Sequence, residues 1–241
     1  MKHSNVCSCV LATVAIGLSF TTFTAQAADQ SQITAIDILL LPDATMLQHA
    51  QATNDRLRKV FPKGFALDAS HHPHVTLVQR FVLTENLDKV YAAVGQVFAN
   101  ADVTGLKLEA FKYYYIPDKD LGLSGIVVKP TPELLKLEQQ VIDAVTPFAV
   151  KTGTSAAFVT TPEDPTVLPA LIEYVSTFVP KSSGEHYHPH VTTGLAPRVY
   201  LDEMLKEPFE RYTFSPVGAA VYHLGHFGTA AKKLKEFDLK H

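Results

Sequence analysis

Cysteine is nearly absent from this chain: its two cysteines, Cys7 and Cys9, both fall in the first ten residues. Nothing after them can form a disulfide or a thiolate metal site, so an ordinary apolar core must stabilise the rest. A basic excess is lacking too. The 21 Lys and Arg stand against 24 Asp and Glu, a formal charge of −3. That argues against a stable complex with long nucleic acid, which leaves a basic footprint, but leaves small phosphate esters open. No cysteine follows the apolar stretch Val10–Phe23, as a lipid anchor would require.

What is present at the start reads as a secretory signal peptide over residues 1–27: Lys2 and His3, the apolar stretch, then Ala25, Gln26 and Ala27. Cleavage is expected after Ala27 or Ala28. Its removal takes one of the 21 basic and none of the 24 acidic residues, moving the formal charge from −3 to −4. The expected product is a secreted or periplasmic protein with no membrane attachment. Residues 28–241 are enough for one domain, single or bilobal.

The most informative stretch is a pentapeptide written twice, His-Pro-His-Val-Thr at His72–Thr76 and again at His188–Thr192. Successive side chains of a strand point to opposite faces, so in each copy the second His and the Thr share a face, about 6.5 Å apart. That spacing lets the pair touch one small anion together. The Pro holds the preceding residue extended and belongs at a strand's start, so His74 and His190 should open their strands.

Around these copies the chain alternates strands and helices. Ile33–Leu41 is an apolar run interrupted by Asp37 and reads as a buried strand; Asp43 or Ala44 starts a helix that Lys63 and Gly64 end. Thr84 is expected to cap the next helix. Val103–Ile116 and Leu123–Val128 read as a strand pair. Thr131-Pro132-Glu133-Leu134 opens a helix. Residues 151–185 contain four prolines and a helix expected over Val167–Val179; they form a lid or insertion, or a surface excursion. A short helix near Tyr200–Lys206 and strands at Val217–Tyr222 and Leu234–Phe237 complete the order. The fold class is α+β: two antiparallel-sheet and helix lobes in a bilobal, pseudo-two-fold arrangement around a central cleft.

Two His-x-Thr motifs, each in an apolar strand and half a domain apart, resemble the signature of the 2H phosphoesterase superfamily, here His74-Val75-Thr76 and His190-Val191-Thr192. The similarity extends to the strand and helix before the first motif and to the Leu123–Val145 segment. The motifs stand further apart than in the commoner pattern, with the excess in 151–185. The resemblance implies a metal-independent cyclic phosphodiesterase with His74 and His190 as catalytic acid and base and Thr76 and Thr192 holding the phosphate. Related activities are 2′–5′ RNA ligation and hydrolysis of 2′–5′ linkages.

Chemistry supports the same assignment. Hydrolysis of a 2′,3′-cyclic phosphate needs a base for water, an acid for the departing ribose oxygen and donors for the phosphoryl oxygens. Imidazole titrates near neutrality and can serve as either. The scheme requires no cofactor. The expected partner is a small nucleotide or an RNA end bearing a cyclic phosphate, and a monomer is expected.

Other residues have two readings. Arg80 lies an even number of positions beyond His74 and could help hold phosphate, or end the strand in solvent. Phe111, Tyr113 and Tyr115 alternate and could stack a base, or pack in the core. His223 and His226 could line the site or sit in a turn. His71, His72, His186 and His188 flank the motifs; His186, His188 and His190 would share a strand face, a conceivable zinc arrangement. This keeps open a non-catalytic module that binds metal or a phosphorylated ligand.

Overall fold

The computed structural model describes residues 32–162 and 165–239, together with Met1. The expected signal peptide beyond Met1, and its cleavage junction, lie outside the described residues. Among the described residues no helix is long and apolar enough to cross a membrane.

Strand β1 (Ile33–Pro42) is buried along nearly its whole length because it runs in the middle of a sheet covered on both faces. Asp43 then caps helix α1 (Ala44–Val60), accepting from the N–H groups of Thr45 and Met46 at 3.0 and 3.3 Å. Strand β2 (Val75–Leu83) carries the first motif. Thr84 does not cap helix α2 (Leu87–Ala99). Its hydroxyl pairs with that of Thr34 at 2.7 Å, and a 3-10 turn over Thr84–Asn86 delays the helix.

Strand β3 (Leu108–Asp118) begins later than the hydropathy suggests, because Val103 and Leu106 reach the core from a loop. It pairs with β4 (Leu121–Val128). Helix α3 (Pro132–Val145) has the expected start: Thr131 accepts from Leu134 N–H at 3.2 Å, with Pro132 in the first turn. The two-residue strand β5 (Ala149–Val150) precedes helix α4 (Pro169–Ser182), which packs on β2. The second motif lies on β6 (His190–Pro197), followed by helix α5 (Arg198–Met204) and strands β7 (Tyr212–Phe214), β8 (Pro216–Leu224) and β9 (Ala230–Phe237).

The strands form two antiparallel sheets, β5-β2-β1-β8-β9 and β6-β4-β3-β7. Leaving aside the short β5, each sheet is a four-strand run with its motif strand at one end. One apolar core joins the two sheets: Ile36, Leu77 and Val78 from the first, Ile126, Val191 and Phe214 from the second, closed over by Phe98 of α2 and Leu134 and Val141 of α3. Each such side chain, fully buried, contributes about 1.5–3 kcal/mol. Helix α1 crosses to the second sheet, where buried Asn54 donates to the Thr193 carbonyl at 2.8 Å and the Phe65 carbonyl at 3.0 Å.

Candidate active site

Both motif strands contain one extra residue immediately after the motif threonine. In β2, Thr76 pairs with Leu39 and Val78 with Ile38, leaving Leu77 unmatched; in β6, Thr192 pairs with Gly125 and Gly194 with Ser124, leaving Thr193 unmatched. A bulge inverts the alternation beyond it. The residue three places after each threonine, Gln79 or Leu195, therefore returns to the motif's face. Both line the cleft. The two-fold relation thus extends past the repeated pentapeptide into the backbone.

The catalytic candidates meet there. His74, Thr76, His190 and Thr192 line one cavity of about 320 Å³. The two imidazoles are held alike: Nδ1 of His74 lies 2.6 Å from the His72 carbonyl, and Nδ1 of His190 lies 2.8 Å from the His188 carbonyl. A carbonyl only accepts, so each Nδ1 carries the proton and it is Nε2 of each ring that is turned away from its own backbone. The first His and the Pro of each motif thus serve the second His by presenting that carbonyl to its ring.

Electrostatically the halves differ. Asp37, fully buried on β1, sits with Oδ2 3.4 Å from His74 Nε2 and accepts from Thr76 Oγ1 and Gln79 Nε2, both at 2.8 Å. Asp37 pairs in register with Gln79. The corresponding pair in the other sheet is Leu123 with Leu195. One histidine has a carboxylate beside it where its counterpart has leucine.

The protonation biases follow. Burial works against charge on His74, but the Asp37 carboxylate and the His72 carbonyl outweigh it, and the ring's pKa stands above its ordinary value. Burial dominates at His190; the His188 carbonyl opposes it only partly, and the neighbouring His188 and His74 add to it, so its pKa falls to about 4. Around neutrality His190 is a free base, whereas His74 retains its proton to higher pH than an ordinary imidazole.

Several candidates lie elsewhere. Arg80 does not line the cleft, because the bulge at Leu77 gives its expected place to Gln79. Tyr115 turns away to donate to Asp202 at 2.6 Å, with its ring packed among α5 residues. From the opposite face of β3, Tyr114 packs edge-on against the rings of His188 and His190, with centroids 5.2 and 4.8 Å away. His223 sits 2.8 Å from the Ala157 carbonyl, outside the cleft. His186 lies in a 3-10 turn before β6, so it does not share a strand face with His188 and His190. Among the described residues no group of three or more His, Cys, Asp or Glu could hold a metal ion. His72 stacks near Tyr222 at 6.0 Å, and His71 lies against Phe65 at 4.4 Å with Asp68 beside it.

Asp37, Gln79 and Tyr187 were not among the candidates. Asp37 had a signal: it is the one charge within the buried apolar run of β1. Tyr187, just before the second motif, donates to the Thr76 carbonyl at 2.6 Å and ties the two motif segments together.

No protein-family model matches the chain, and no curated protein matches it. Solved structures do. TT0787 of Thermus thermophilus is 16% identical over 86% of this chain and 98% of its own, with a TM-score of 0.50. E. coli LigT complexed with NADP+ is 14% identical over 87% of this chain and 100% of its own, TM-score 0.43. Kluyveromyces marxianus Usb1 is 9% identical over 84% and 96%, TM-score 0.42. Identities this low speak to the fold alone, and the first carries that statement.

Proposed function

We propose, from a chain that has the fold of the 2H phosphoesterase superfamily, that this protein hydrolyses 2′,3′-cyclic phosphates of nucleotides or RNA ends, and that it does so outside the cytoplasm after loss of residues 1–27. The observation that carries the reading is the matched pose of the two histidines, each with Nδ1–H held by a carbonyl and both lining one cavity with Thr76 and Thr192.

His190 Nε2 takes a proton from water as the water oxygen attacks phosphorus. The bond from phosphorus to one ribose oxygen breaks, and His74 Nε2–H gives that oxygen its proton. Thr192 donates to a nonbridging oxygen; Thr76 does so by exchanging its bond to Asp37. Asp37 stabilises the charged form of His74 and so makes it the acid, whereas His190 has no carboxylate beside it and starts as the base.

The test is turnover of a 2′,3′-cyclic nucleotide in the presence of EDTA. Wild type is expected to turn over, and His74→Ala or His190→Ala to lose at least about a hundredfold in kcat, the size of a lost general acid or base. Loss of activity only on chelation would make the histidines ligands instead. An inert wild type would remove the substrate assignment.

A further inference from the structure

We infer that the cleft selects a small phosphoester, a single phosphate on a compact, largely apolar body of mononucleoside size, and that α4 is the wall that excludes polyanionic strands. This rests on the phosphoesterase reading and narrows its substrate class.

Two observations converge. Cations come first. Among the described residues that line the cavity there is no Lys or Arg; the titratable groups are the two motif histidines, Tyr174 and the acidic Asp118. Binding a nucleic-acid strand draws on several cations matched to successive phosphates, and Asp118 would repel them.

Shape is the second. The cavity of about 320 Å³ sits at the small end of small-molecule sites. Leu168, Leu171 and Tyr174 of the α4 region close one side, and Leu123 and Leu195 close another. A neighbouring cavity of about 210 Å³ shares Thr76, Tyr174 and His190 with the first and is walled by Tyr114, Phe178 and Tyr187. It also lacks Lys and Arg. Flat aromatic walls beside a phosphate position suit one stacked ring.

The experiment compares binding of a nucleoside 3′-monophosphate, a 3′-phosphorylated tetranucleotide and inorganic phosphate by calorimetry across a salt series. The monophosphate should bind at least about tenfold tighter than the tetranucleotide, with a slope of log K against log salt no steeper than about −1. The double variant Leu171→Ala/Tyr174→Ala should weaken the monophosphate about tenfold while leaving inorganic phosphate within about twofold, since only the body of the ligand meets α4. Leu168→Lys, at a position 39% exposed, should favour the tetranucleotide and steepen its salt slope. Tighter binding of the tetranucleotide to wild type, or a monophosphate bound no better than inorganic phosphate, overturns the inference. Selective binding without turnover of the matching cyclic phosphate would instead overturn the phosphoesterase reading and leave this selectivity standing.

Discussion

At the scale of single residues, the rings of His74 and His190 are held by the same bond, and they differ in what meets Nε2. In the proposed reaction Asp37 therefore sets the alkaline limit of the pH range and His190 the acid one. A base with a pKa of about 4 loses activity as pH falls through that value; an acid whose pKa is raised loses it as pH rises through a value above the ordinary imidazole range. Replacing Asp37 by Asn removes what raises the acid's pKa. The alkaline limb of the profile of kcat against pH should move to lower pH and the acid limb should stay, with kcat near pH 8 falling about tenfold or more. An unmoved alkaline limb would show that His74 is not the titrating acid.

Asp37 also shows what the sequence could and could not convey about the site. The paired pentapeptide is a local signal, and it indicates four of the cleft residues. A charge inside an apolar run is legible as an anomaly, but its distant partner His74 depends on strand pairing, which no local pattern states. Arg80 was misplaced for the same reason: alternation counts residues correctly only while a strand has no bulge.

At the scale of elements, the bulges aim the site. Gly194 follows the extra residue of β6 with φ of 140°, and a Cβ there would stand 2.8 Å from Asn54 Nδ2 and 3.3 Å from Leu57 Cδ1. Gly194→Ala should therefore cost about 2 kcal/mol in denaturant unfolding, combining backbone strain with a displaced α1 contact. It should also lower kcat more than it raises KM, because Thr192 is displaced with the bulge. Nothing in Leu77 or Thr193 marks them as extra residues. Helix starts fared better, as at Asp43 and Thr131, because a cap involves only residues a few positions apart. Thr84 misled because a hydroxyl on β1, Thr34, competes for it.

At the scale of the whole molecule, buried groups set how stability responds to pH. Glu138 of α3 has no exposed surface, one oxygen accepting from Gly184 N–H at 3.2 Å and the other unpaired; burial raises its pKa to about 7. The folded state thus holds that proton longer than the unfolded chain, so Glu138 lowers stability as pH rises from its ordinary range to about 7. His190, with a pKa lowered to about 4, works the other way, raising stability as pH climbs from there towards the ordinary imidazole value; His72, His188 and His223, also lowered by burial, act in the same sense. Glu138→Gln removes one opposing contribution and leaves that of His74, whose pKa is raised. The variant's stability should rise more steeply with pH than that of wild type, with an advantage on the order of 2 kcal/mol by pH 8 that is small at pH 4, measured as the midpoint of thermal or urea unfolding.

A pair of lobes built alike could accept a symmetrical ligand either way round. The register positions held by Asp37 in one sheet and Leu123 in the other remove that freedom. A ring phosphate has two ester oxygens, and in the proposed mechanism the one lying towards Asp37 leaves as the alcohol. The proposed reaction therefore acquires a polarity: the product mixture should contain one regioisomer, with the phosphate always on the oxygen that faced the leucines.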